Sequence, residues 1–195
     1  KVTDTLLEIA SCSETGDEQQ ATKLIEEVRE KHISTADEFL TGSNLIDALS
    51  KIKTHIEKLA SLSKGLLLLR ECTLRSSDTL VSFGEILSTT LLYYRARERG
   101  ISAELLDSRD FIVTDSEFSE AAPIFNKTNK KITDLVHPEA GKLLIAQGFI
   151  ARNENGVTTT LGRGGSDFTA TIIGGALNAE EVQIWTDVDG IMTSD

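Results

Sequence analysis

Apolar residues recur three or four positions apart through the first half of the chain. Over residues 18–31, Ala21, Leu24, Ile25 and Val28 form one stripe with charge opposite, which predicts an amphipathic helix. Leu45, Leu49, Ile52, Ile56 and Leu59 keep the same spacing and predict a second helix over 45–62, which Asn44 can cap. A third is expected over 79–99, ending at Gly100 as a C-cap. The second half changes period. Short strands are expected at 103–106 and 111–114, a helix at 138–146 with Pro138 near its first turn, and a strand at 147–152. A helix at 166–177 and a strand at 182–186 follow. Such alternation implies a mainly parallel sheet covered by helices. Residues 153–156 read as a surface turn, and Lys127 to Lys131 as a small solvated basic loop.

Composition narrows the classes. With 39% hydrophobic and 26% charged residues, the 195-residue chain has the makings of a folded core. A net charge of −11 argues against nucleic acid as the main partner, because phosphate binding needs clustered Lys and Arg. No apolar run reaches the length of a membrane span, and no signal peptide is expected. Cys12 and Cys72 match no metal or redox spacing and read as reduced cytoplasmic thiols. His32, His55 and His137 have no partner at metal-ligand spacing, so no metal-binding residue is expected.

Candidate chemistry concentrates in Thr158-Thr159-Thr160-Leu161-Gly162-Arg163-Gly164-Gly165-Ser166-Asp167. Gly164 and Gly165 permit positive φ and close approach of a ligand. Ser166 or Asp167 can cap the following helix, whose first N–H groups attract anions. Arg163 offers a rigid fork of donors for a carboxylate or phosphate. The stretch reads as a site for a small anion, or more plainly as a strand-to-helix turn with a capping Asp. Downstream, Glu181 to Trp185 reads as a strand running into Thr186-Asp187-Val188-Asp189-Gly190. Ligands in open α/β sheets gather beyond strand ends, although Asp-Gly also suits a hairpin.

The order of these two segments, TTTLGRGGSD and then WTDVDGIMTSD, closely resembles the aspartokinases, members of the amino-acid kinase family. Ser82-Phe83-Gly84-Glu85 looks like the family's Ser-Phe-Gly-Glu motif. Val2-Thr3-Asp4-Thr5-Leu6-Leu7 resembles the segment carrying a substrate-binding Thr. The resemblance covers essentially the whole chain. It implies a three-layer αβα sandwich with a mainly parallel central sheet, of the carbamate kinase-like kind. It also implies transfer of the γ-phosphoryl of ATP, with Mg2+, to the side-chain carboxylate of L-aspartate. The product is 4-phospho-L-aspartate, the start of lysine, threonine and methionine synthesis.

Carried onto matching positions, the resemblance implies substrate contacts by Thr3, Glu85, Arg163, Gly164, Gly165 and Ser166. Glu85 would take the ammonium and Arg163 a carboxylate. Asp167 is the candidate catalytic residue, either meeting the ammonium or orienting a phosphate-neutralising lysine. Thr186, Asp187 and Met192 would meet the nucleotide, although the family usually has an aromatic where this chain has Met192. The Lys-Phe-Gly-Gly segment, the later nucleotide segment and the ACT regulatory domains are not in the chain. Residues 1–195 are therefore expected to be a partial catalytic domain, inactive alone, cytoplasmic, and homo-oligomeric when intact. Two alternatives remain: a family member acting on glutamate or a nucleoside monophosphate, and a non-catalytic amino-acid-binding module.

Overall fold

The computed structural model describes residues 2–185. Four long helices occupy the first half: α1 (Val2–Thr15), α2 (Glu18–Phe39), α3 (Gly42–Leu69) and α4 (Leu74–Glu98). The expected stripes are their buried faces. Ala21, Leu24 and Val28 of α2 meet Ile52, Ile56 and Leu59 of α3 and Leu80 and Leu87 of α4 in one core. α2 starts where expected but runs on to its C-cap at Leu40, α3 overruns at both ends, and α4 starts earlier than expected. Asp17 accepts from the Gln20 amide at 3.0 Å ahead of α2, and Thr73 from the Ser76 amide at 3.2 Å ahead of α4. Asn44 does not cap α3. Thr41 holds that position, and Asn44 donates to Glu98 at 2.8 Å, tying the start of α3 to the end of α4. Gly100 ends α4 at φ 73°, as expected.

The second half supplies the strands β1 (Ala103–Leu105), β2 (Val113–Thr114), β3 (Leu143–Ile145), β4 (Ile150–Asn153) and β5 (Thr158–Thr160), with α5 (Phe125–Leu135) and α6 (Gly165–Ala176). β1 pairs with β3 in parallel, and β2 with β4 in parallel, while β4 and β5 form an antiparallel hairpin around Gly156. The α4 helix lies against β1, β3 and β5. On the other side, Ile132 of α5 and Ile172 of α6 join Phe111, Ile112, Ala151 and Leu161 in a second core. The strands thus form a two-stranded sheet, β1-β3, and a three-stranded sheet, β2-β4-β5, and the result is the expected layering of helices, mainly parallel strands, and helices.

Four further local expectations fail. Residues 138–146 are not a helix: Gly141 turns the chain at φ 80°, and Leu143 to Ile145 then pair with Ala103 to Leu105. Lys127 to Lys131 are not a loop but the middle of α5, whose Thr128 and Ile132 point inward at helical spacing. The strand expected at 147–152 begins only at Ile150, because Phe149 takes φ 69° and breaks the extended run. Residues 181–185 form no strand. They find no ladder partner among the described residues, and Trp185 is 88% exposed.

Candidate functional site

Thr158 to Thr160, taken in the sequence for part of a turn, form the buried strand β5 that leads into the glycine segment. Three β-branched residues favour that extended form. The chain then turns through Gly162 (φ 74°), Arg163 and Gly164 (φ 74°) into α6. A Cβ on Gly162 would come within 3.2 Å of the Ser119 carbonyl and the Glu120 side chain, so the turn lies flat against that loop. Gly164 occupies the N-cap position of α6, and no side chain caps the helix. Neither Ser166 nor Asp167 does so, contrary to the sequence-based expectation. Among the described residues the amides of both find no acceptor.

Two more elements converge on this helix start. The α4 helix presents Glu85 from its middle, well away from the first-turn position where an acid would serve the helix dipole. The first turn of α1 presents Thr3. Gly84 allows the approach: a Cβ there would sit 3.3 Å from Leu6 and 3.6 Å from Val2. Thr3, Glu85, Gly162, Arg163, Gly164, Gly165, Ser166 and Asp167, with Phe149, line one cavity of about 550 Å³. The seven sequence-predicted substrate and catalytic residues thus come together. Thr186, Asp187 and Met192 lie outside the described residues.

The cavity separates charge. The Glu85 carboxyl is half-buried, and burial raises its pKa above the ordinary carboxylate range. Among the described residues it forms no ion pair. Arg163 is exposed and likewise unpaired among them. A cation-seeking carboxylate and an anion-seeking guanidinium therefore face one space beside the unmet amides of α6. That pattern complements a small zwitterion with a further carboxylate. A second cavity, of about 530 Å³, is also rich in cations, but Arg109 is engaged by Asp107, Lys127 by Glu154 and Arg152 by Asp110.

The sequence did not mark three supporting residues. Phe149 reaches the cavity from the strained turn before β4. Its amide donates to Thr169 at 3.0 Å, and its carbonyl accepts from Leu161 at 2.9 Å. Gln147 is buried; it donates to Thr89 at 3.1 Å, and Thr89 donates to the Glu85 carbonyl at 2.7 Å. Asp78, two turns before Glu85, is buried against β5. The Gly148-Phe149 pair is the one sequence signal available, since an isolated Gly in a strand pattern often marks close backbone approach. A Cβ on Gly148 would fall 2.8 Å from Ser166.

The sequence profile of the amino acid kinase family matches residues 1–195. The chain belongs to the amino acid kinase family. Within that family, Arabidopsis thaliana aspartokinase 1, chloroplastic, is 39% identical over 182 residues, covering 86% of this chain and 29% of its own length. The Arabidopsis thaliana bifunctional aspartokinase/homoserine dehydrogenase 2, chloroplastic, is 34% identical across 100% of this chain, which spans 21% of that relative. Among solved structures, E. coli aspartokinase III in complex with aspartate and ADP superposes with a TM-score of 0.86 at 30% identity. The match covers 98% of this chain and 41% of that one. The same enzyme in complex with lysine and aspartate gives 0.88. No helix of the described residues is long and apolar enough to cross a membrane.

Proposed function

We propose that these residues form the amino-acid side of an aspartokinase catalytic site, which transfers the γ-phosphoryl of ATP to the side-chain carboxylate of L-aspartate. The observation that carries the reading is the unpaired Glu85 carboxylate facing Arg163 across one cavity at the start of α6. Glu85 takes the substrate ammonium, since a fixed carboxylate compensates a desolvated cation. Arg163 grips a carboxylate bidentately, and the α6 amides with the Ser166 hydroxyl complete the cradle. Thr3 donates a hydroxyl hydrogen bond from the facing helix. The reacting carboxylate is already a nucleophile, so these residues contribute by holding it in line rather than by removing a proton.

The reading includes ATP and Mg2+. No group of three or more His, Cys, Asp or Glu placed to hold a metal ion exists among the described residues. Magnesium in phosphoryl transfer needs only one or two carboxylates beside the substrate phosphates, and it neutralises their charge. Asp167, exposed on the cavity wall, would meet the substrate ammonium or orient a phosphate-neutralising lysine. Residues 1–195 would act as part of a longer catalytic domain containing Thr186, Asp187 and Met192 at the nucleotide. The reading also includes a homo-oligomer and a cytoplasmic location, with the plastid as the competing compartment given the relatives' names.

The test is hydroxylamine trapping of an acyl phosphate formed by the complete protein that carries these residues, with Mg-ATP and L-aspartate, L-glutamate or no acceptor. Trapped product with L-aspartate alone is expected. Product with L-glutamate instead would reassign the substrate, and no product from folded protein would favour a non-catalytic amino-acid-binding module.

A further inference from the structure

Asp78 is 2% exposed, has no cation partner among the described residues, and plays no part in the chemistry above. Its carboxylate nevertheless collects four short contacts from two distant segments. Oδ2 accepts from the Thr160 amide at 3.0 Å and the Ser119 amide at 3.0 Å. Oδ1 accepts from the Thr160 hydroxyl at 2.8 Å and again from the Ser119 amide at 3.1 Å. Thr160 is the last residue of β5, two before Gly162. Ser119, at φ 77°, belongs to the loop on which Gly162 lies. Seven residues separate Asp78 from Glu85, which places both on one face of α4, about 10 Å apart along the axis.

We infer that Asp78 is a positioning residue that fixes the Arg163 turn relative to Glu85, and so sets the distance between the two charges that grip the substrate. One carboxylate joins the helix bearing Glu85, the strand entering the turn, and the loop supporting it. No other hydrogen bond described links the side chains of α4 to β5, so without Asp78 the strand stays on its ladder with β4 and on the Ala121 amide, but its tie to the helix bearing Glu85 is apolar contact alone. The inference draws on the aspartate reading only for the identity of the substrate.

The geometry makes a discriminating pair of variants. In Asp78→Asn the amide oxygen can take the Oδ2 position and accept from both backbone amides. Its NH2 can then donate to the Thr160 hydroxyl, which turns its own hydrogen away. Asp78→Ala offers nothing to either segment. In the complete protein, Asp78→Ala is expected to raise the KM for L-aspartate about tenfold or more while the KM for ATP holds, since small misplacements of a gripping group are costly. Asp78→Asn is expected to stay close to wild type. Hydrogen exchange gives a readout independent of substrate. The hydrogen-bonded amides of Leu161, Gly165 and Phe168 should exchange at least about tenfold faster in Asp78→Ala, with those of α2 and α3 unchanged.

If Asp78→Ala does not fold, Thr160→Val removes one of the contacts and should shift both readouts the same way by less. Unchanged exchange at Leu161, Gly165 and Phe168 would overturn the inference, as would an Asn variant as impaired as Ala. Loss of stability with no change in aspartate KM would make Asp78 a structural residue only. A wild-type protein that prefers another acid would sink the substrate assignment, and the exchange result would still decide the role of Asp78.

Discussion

The Glu85 carboxyl is half-buried with no cation beside it among the described residues, and burial raises its pKa. The folded state therefore holds the Glu85 proton more tightly than the unfolded chain does. The stability this confers is present in full below the unfolded carboxylate pKa and is lost as pH rises through the raised folded value. At neutral pH the ionised side chain weakens the ligand-free protein. Glu85→Gln should consequently raise Tm at pH 7, and the gain should shrink as pH falls toward 4. The same change should weaken L-aspartate use about 10- to 100-fold, because a hydrogen bond to a charged group contributes roughly 1.5–3 kcal/mol. It should also bring aspartate and succinate closer together as substrates. A Tm that falls at pH 7, or a Glu85→Gln variant that still separates aspartate from succinate as widely as wild type does, would make Glu85 structural. Glu85, Arg163 and Thr3 were legible in the sequence because charge and hydroxyl type announce their chemistry within a short motif. Asp78 and Gln147 were not, since their partners lie 82 and 58 positions away.

Among the elements, α6 shows how tightly its start is set. A Cβ at Gly148 would lie 2.8 Å from the Ser166 backbone, and one at Gly165 would lie 2.9 Å from the Phe149 ring and 3.1 Å from the Leu161 side chain. Backbone cannot give way as a flexible side chain can. Gly148→Ala should push the start of α6 aside, costing about 1–3 kcal/mol of stability and raising the KM for L-aspartate. Denaturant melts beside kinetics check this; an unchanged KM in a destabilised variant would separate the packing from the site. The long helices were readable because each repeats its pattern over several turns. The strands have two to four residues and are defined by partners elsewhere. Leu143 to Ile145 carry no local mark that Ala103 to Leu105 will receive them. The spacing from Pro138 onward imitates a helix until Gly141 interrupts it.

At the scale of the whole molecule, one core lies among α1 to α4 and another between the sheet and α5 and α6. The cavity lies on the seam. Glu85 and Thr3 come from the helical side and the Arg163 turn from the strand side, while Phe149 packs on the first core and Leu161 belongs to the second. A ligand bridging the seam should stabilise both bodies at once. L-aspartate at 100 times its Kd should add about 2.7 kcal/mol to unfolding, a rise of several degrees in Tm. Arg163→Ala should lose most of that rise at the same concentration. An equal shift in both proteins would place the aspartate elsewhere. The layered architecture was readable from the change of hydrophobic period halfway along the chain. The seam was not, because it depends on where α4 meets β5.

The α6 helix begins on Gly164 with no side chain over its first amides. A protein that wanted only a stable helix would have a hydroxyl or carboxylate turned back onto them, as α2 and α4 do with Asp17 and Thr73. Here the missing acceptor is left to the visitor. On the proposed reading a bound carboxylate would supply that acceptor, so the ligand would stand where a capping side chain stands in α2 and α4. An acid that cannot reach those amides would leave them unmet, and discrimination would begin before any phosphate has moved.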